Sequence, residues 1–133
     1  MSGIIDINIL LKTMKPYLDN TLYVFVTVKT HTLTQDIVNL NPIATFREEE
    51  GMTLVITKDQ ADKYNYSYDV ELQKITLAVH SSLEAVGLTA TISSALTKEN
   101  ISANVIAGFY HDHIFVPTSK AALALKCLDK LAQ

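Results

Sequence analysis

The sequence predicts an α+β fold of two related halves, in which helices cover one face of an antiparallel sheet. Segments rich in β-branched and aromatic residues alternate with amphipathic helical segments. The order strand, helix, hairpin, helix occurs twice, and no linker rich in Gly, Pro or Ser separates the two passes. With 133 residues, 48% hydrophobic and 19% charged, the chain has the composition of a folded domain or of two small halves sharing a core, which argues against disorder.

In the first half, Ile7, Leu10, Leu11 and Met14 have helical spacing after Asp6, a good N-cap, and Lys15-Pro16 ends the helix. Thr21 to Val28 reads as a central strand, and the polar stretch from Lys29 to Asn41 leaves room for one helical turn. Pro42 to Glu49 and Met52 to Lys58 form a hairpin around an acidic tip with Gly51. Asp59 then caps a short helix through Tyr64, ended by Asn65.

In the second half, Val70 to His80 holds a strand that is strongest over residues 75–79. The longest helix signal follows, with Leu88, Ile92, Ala95, Leu96 and Glu99 on one face and Asn100 as a left-handed cap. Ser102 to Tyr110 and His113 to Pro117 make a second hairpin turning near His111-Asp112. Ser119 caps a last helix with the stripe Ala121, Ala124, Leu125, Leu128 and Leu131.

The repeat aligns Ile43-Ala44-Thr45-Phe46 with Ile106-Ala107-Gly108-Phe109, and Leu54 to Thr57 with Phe115 to Thr118. The two offsets differ by two, so the first hairpin tip is expected to be two residues longer. Ala61 matches Ala122 and Val26 matches Val79, and the first half lacks about ten residues of the long helix. The halves are drawn as 1–68 and 69–133. Neither has an obvious final strand of its own, so strands are expected to be shared or exchanged.

A formal charge of −3 with scattered Lys and Arg argues against a nucleic-acid partner. Cys127 is the single cysteine, so no intrachain disulfide or cysteine zinc cluster is available. Met1 to Asp6 has neither the basic start nor the apolar run of a secretory signal, and no apolar stretch approaches the ~18 residues of a membrane span. The expected location is the cytoplasm.

The runs Leu77 to Ala90 (LAVHSSLEAVGLTA) and Ile101 to Pro117 (ISANVIAGFYHDHIFVP) resemble a family of short bacterial ACT-domain proteins. So do Met14-Lys-Pro16, Tyr23-Val-Phe25 and Ala44 to Val55. Wider relatives of that family include aspartokinase regulatory regions and cytosolic arginine sensors. The resemblance implies duplicated ferredoxin-like βαββαβ units that pair into a continuous sheet, bind amino acids at their interface and alter a partner's activity. Many ACT domains open their first helix with an Asp-x-Pro-Gly turn. Here Ser82-Leu83-Glu84-Ala85-Val86-Gly87 keeps only the glycine.

The candidate ligand site comprises His80, Ser81, Ser82, Val86, Gly87 and Leu88, with Asn104 and Val105 on the neighbouring strand. A helix starting near Gly87 leaves its first N–H groups free for a carboxylate, the helix dipole assists, and the Asn104 amide would take an α-ammonium. Ser81-Ser82-Leu83-Glu84 equally matches a capping box that only closes the helix.

His111 and His113 share a side if their strand is extended. A metal there would need His80 or His31 as a further ligand, and a hairpin tip with satisfied histidines is the simpler reading. Glu48-Glu49-Glu50 reads as a solvated tip and Cys127 as a buried inert thiol. No catalytic motif or phosphate loop is present, and no cofactor is expected.

The leading reading is a non-enzymatic sensor of a small amino-acid-like metabolite, working as a homodimer. The alternatives are a ligand-free module that dimerises and docks on a partner enzyme, and a metal-dependent enzyme using His80, His111 and His113.

Overall fold

The computed structural model describes residues 6–78 and 87–133. Five helices and six strands follow one another as α1 (Ile7–Thr13), β1 (Pro16–Val28), α2 (Gln35–Asn39), β2 (Ala44–Glu48), β3 (Gly51–Thr57), α3 (Lys58–Lys63), β4 (Leu72–Leu77), α4 (Leu88–Lys98), β5 (Asn104–Ala107), β6 (Asp112–Pro117) and α5 (Ala121–Leu131). Contacts group them into two units, Thr21–Leu72 and a discontinuous one made of Met1–Asn20 with Gln73–Gln133.

The continuous unit orders its strands β2-β3-β1. Both pairings are antiparallel, from Tyr23↔Thr57 to Val28↔Met52 and from Ala44↔Val55 to Glu48↔Gly51. Val24, Val26, Met52, Leu54 and Ile56 alternate along β1 and β3, so they share one face. There they form a core with Ile37 and Leu40 from the α2 region and Ala61 of α3. Thr34 and Thr57 cap the two short helices by accepting from the N–H groups of Ile37 and Gln60. The helix cap expected at Asp59 is therefore Thr57, two residues earlier, because α3 starts directly where β3 ends.

In the discontinuous unit β4, β6 and β5 are successive neighbours, and the first residues of β1 lie beside β4. The Gln73 side-chain amide donates to the Asp19 carbonyl at 3.2 Å, and Lys74 faces the Asp19 carboxylate at 3.9 Å. Taken in the order β4, β5, β6 and then β1, the strands follow the 4-1-3-2 arrangement of a ferredoxin-like unit, with the N-terminal segment serving as last strand. β1 is thus longer than the strand expected at Thr21–Val28. It begins at Pro16, where proline's missing N–H is tolerated.

The core of this unit joins Ile75 and Leu77, Leu88, Ile92 and Leu96, Ile114 and Val116, and Ala121, Ala124 and Leu128. Leu10 and Met14 complete it, so α1 packs here although the continuous unit lies between it and the rest of this unit in the chain. Each fully buried leucine or isoleucine is worth roughly 1.5–3 kcal/mol. α1 is capped by Asp6, which accepts from the N–H groups of Asn8 and Ile9. α5 follows a 3-10 turn over Thr118–Lys120, so Ser119 lies inside that turn and is not a helix cap.

The structure corrects the register of the repeat. Met52, Leu54 and Ile56 belong to one core, Ile114 and Val116 to the other, and buried Asp112, Ile114 and Val116 each lie 60 residues after their counterparts. Buried Ala61 corresponds at the same spacing to buried Ala121, whereas Ala122 is exposed. The Glu48↔Gly51 pair corresponds to Gly108 and His111, where the Gly108 N–H donates to the His111 carbonyl at 2.9 Å. The two hairpin tips are therefore equally long, and the second turns at Phe109-Tyr110 rather than at His111-Asp112. A one-residue slip in alignment exchanges the faces of a strand, which is why Leu54 and Phe115 are not equivalent.

Asn65 and Asn100 adopt left-handed conformations, at φ 60° and 58°, as their helix-ending positions require, and Asn41 does so at 52°. Gly51 has φ 154°, and a Cβ there would lie 2.1 Å from the Val28 carbonyl oxygen. Gly51→Ala should therefore cost about 2–4 kcal/mol in urea unfolding, because both partners of the clash are backbone.

At the position equivalent to Met52 stands Asp112, 7% exposed and the one charged residue buried among the described residues. Burial raises its pKa, and His113 and His111 offset this only in part. A raised native pKa means that folding penalises the ionised form. That penalty is absent below the unfolded carboxylate value and grows as pH rises through the native one. Asp112→Asn should accordingly stabilise the protein at neutral pH by on the order of 1 kcal/mol, the cost of burying a poorly compensated polar group. Thermal unfolding should show this gain vanishing below about pH 4.

Candidate functional site

The site is built on α4, which Leu88, Ile92 and Leu96 anchor in the core of the discontinuous unit. Gly87 is its N-cap, left-handed at φ 96° and ψ −11°. The first intrahelical bond runs from the Thr91 N–H to the Gly87 carbonyl at 2.9 Å. The N–H groups of Leu88, Thr89 and Ala90 precede it and have no partner within the helix. A glycine N-cap brings no side-chain acceptor to them, and its conformation is one that a residue with a Cβ adopts only under strain. A Cβ at Gly87 would meet Ile7 of α1 at 3.8 Å, so the N-terminal helix stands beside this turn.

Of the residues expected to form the site, His80, Ser81, Ser82 and Val86 lie outside the described residues. The Ser81-Ser82-Leu83-Glu84 run does not hold the N-cap position of α4, which belongs to Gly87. Leu88 is 4% exposed and contributes its backbone, since its side chain is in the core. Asn104 opens β5 opposite Phe115 and is exposed, while Val105 is half-buried against the core.

The structure does not bring Asn104 to the Gly87 amides. Asn104 follows the C-terminal end of α4, where the Ile101 N–H bonds the Leu96 carbonyl at 3.0 Å. Eleven helical residues separate that end from Gly87, a rise of about 16 Å.

Asp112, read from sequence as part of a turn, is instead the acidic group at the end of the sheet from which the chain leaves toward Gly87. Its neighbour His113 meets Thr76, the last residue but one of β4, with Nδ1 at 3.2 Å from the hydroxyl. The signal in the sequence was the alternation Asp112, Ile114, Val116, which puts the carboxylate on the core side once the register is known.

Burial lowers the pKa of His113, with Lys74 and His111 adding to it and Asp112 opposing. His113 therefore favours the neutral ring. Among the described residues no three His, Cys, Asp or Glu side chains are placed to hold a metal ion. Nor is any helix among them long and apolar enough to cross a membrane.

Family models described as ACT domain match residues 2–73 and residues 70–130. No curated protein matches the chain. Among solved structures, a protein of unknown function from Vibrio cholerae, described as a possible transport protein, is 49% identical. It superposes with a TM-score of 0.85 over 95% of each chain. The regulatory subunit of aspartate kinase from Thermus flavus shares the fold at 9% identity, with a TM-score of 0.64 over 89% of this chain and 97% of that one. Aspartokinase III of E. coli, in complex with aspartate and ADP, gives a TM-score of 0.64 at 11% identity over 87% of this chain and 32% of that one. ACT domains are regulatory rather than catalytic modules, and these matches together cover nearly the whole sequence. The chain belongs to the ACT-domain family, as two such domains in tandem.

Proposed function

We propose that the protein is a non-enzymatic sensor whose ligand is a small amino-acid-like metabolite, held at the start of α4. The observation that supports this is the left-handed glycine N-cap. A ligand carboxylate on the amides of Leu88, Thr89 and Ala90 gains charge-assisted hydrogen bonds and the favourable end of the helix dipole. Gly87 leaves that approach clear of a side chain. His80, Ser81, Ser82 and Val86, which lead into the turn, belong to the same proposed site. For the α-ammonium, Asp112 is a better acceptor than Asn104, which stands beyond the other end of the helix.

Binding changes a partner's activity only to the extent that the ligand favours one arrangement of the protein over another. A homodimer is the assembly we favour. β2 and β5 are edge strands, and β2 presents Phe46 at 72% exposure, an apolar edge that a second copy would cover. The free, half-buried thiol of Cys127 suits a reducing cytoplasm. The loss of the Asp-x-Pro-Gly turn favours a second reading, a docking module that holds a partner enzyme without any ligand.

Thermal shift against the proteinogenic amino acids, aspartate first, tests the sensor. A ligand at a hundred times its Kd adds about 2.7 kcal/mol and should raise Tm by several degrees. Gly87→Val should abolish the shift while the protein remains folded. If no amino acid at millimolar concentration moves Tm, the sensor reading fails and the docking reading stands. Phe46→Glu should move the sedimentation of the protein toward the monomer; a protein already monomeric would overturn the dimer.

A further inference from the structure

The continuous unit has short helices, five residues in α2 and six in α3, where the other unit has eleven in each of α4 and α5. Ala124 and Leu128 of α5 and Ile92 and Leu96 of α4 are buried in a shared core. In the continuous unit, by contrast, the chain beyond the two helix ends borders a cavity of about 260 Å³. Asp36, Asn39, Leu40, Tyr64 and Tyr66 line it. Leu40 is the C-cap of α2 and Tyr64 that of α3. Asp36 is the one formally charged side chain of the five. Leu40, 3% exposed, gives an apolar floor, and Tyr66 packs against the core beneath.

The wall is also held in place. The Gln60 amide donates to the Asn39 carbonyl at 3.3 Å, the Gln35 amide donates to Asn39 Oδ1 at 2.8 Å, and the Tyr66 N–H bonds the Ala61 carbonyl at 2.8 Å. Lys63 places its ammonium 5.3 Å from the centre of the Tyr64 ring, so an incoming amine competes with Lys63 for that ring.

We propose that this cavity binds a small organic ammonium ion, with Asp36 as counter-charge, the Tyr64 and Tyr66 rings as cation–π partners and Leu40 against the alkyl chain. Among the five lining residues Asp36 is the one charge and Tyr64 and Tyr66 are electron-rich rings, and the Lys63 ammonium beside Tyr64 is the cation that an incoming amine would replace. An amine is therefore accepted, and an amino acid, whose own carboxylate would face Asp36, is rejected. The volume is below the roughly 300–1,000 Å³ of pockets for drug-sized ligands, which suits a short alkylamine. This site is separate from the Gly87 turn and does not depend on the sensor reading.

n-Pentylammonium and norleucine, which differ by the α-carboxylate, are the probes. In amide NMR titrations n-pentylammonium should shift residues 36–40 and 64–66 saturably, and norleucine should bind there at least about tenfold more weakly. Asp36→Asn, at an exposed position, should weaken the amine about two- to fivefold. Asn39→Asp keeps the acceptor for Gln35, adds a second carboxylate and should tighten it. Tyr64→Ala should cost about two- to fivefold.

Gly87→Val should leave the amine affinity unchanged, which separates failure here from failure of the sensor. Nα-acetyl-lysinamide offers the same head on a peptide-like stem. Tighter binding than n-pentylammonium assigns the head to a protein side chain, and weaker binding assigns it to a free amine. The proposal is overturned if n-pentylammonium causes no saturable shift at these residues, if norleucine binds equally well, or if Asp36→Asn changes nothing.

Discussion

Each unit depends on one constraint, the burial of alternate residues along its central strands beneath its helices. Met52, Leu54 and Ile56 in one unit, and Ile114 and Val116 with Asp112 in the other, turn every second side chain into a core. The pleat has a period of two, so a given register admits one set of inward residues, and the strands and helices that can cover it follow. Ala61 of α3 and Ala121 of α5, both buried, belong to these cores.

That constraint also positions the features that carry function. α4 is oriented by Leu88, Ile92 and Leu96, and its orientation alone puts the Gly87 turn at one end of the unit and Asn104 at the other. The same strand alternation buries a carboxylate at Asp112, where its counterpart is a methionine. Where the helices are long, their side chains fill the layer above the sheet. Where they stop after five or six residues, the layer keeps a cavity edged by tyrosines and an aspartate.

Much of the fold was legible in the residues. Asp6 caps α1, Asn65 and Asn100 end helices in the left-handed region, and the long apolar stripe of α4 is buried at Leu88, Ile92 and Leu96. The site was legible only in part. Gly87 stands out in a sequence with four glycines, and it does cap α4. Asn104 was placed beside it because strand and helix are adjacent in a βαβ order, but the pattern does not say which end of the helix the strand meets. The repeat was found by resemblance of residue types, and short β segments resemble one another at several offsets. Burial distinguishes the offset of 60 from its neighbours.

The sequence by itself determined much of the local structure: most helix and strand segments, the caps at Asp6, Asn65 and Asn100, the duplication, and the membership of the ACT family that the motif runs carry. These follow from backbone preferences and apolar periodicity, which act over a few residues. The tertiary structure decided that residues 16–20 lie beside β4 and that α1 joins a core some sixty residues away in the chain. It also decided that Asp112 is buried and that Tyr64 and Tyr66 meet Asp36 around one cavity. Such placements rest on contacts between residues far apart along the chain, whose free energy depends on what else packs against them, and no local pattern encodes that.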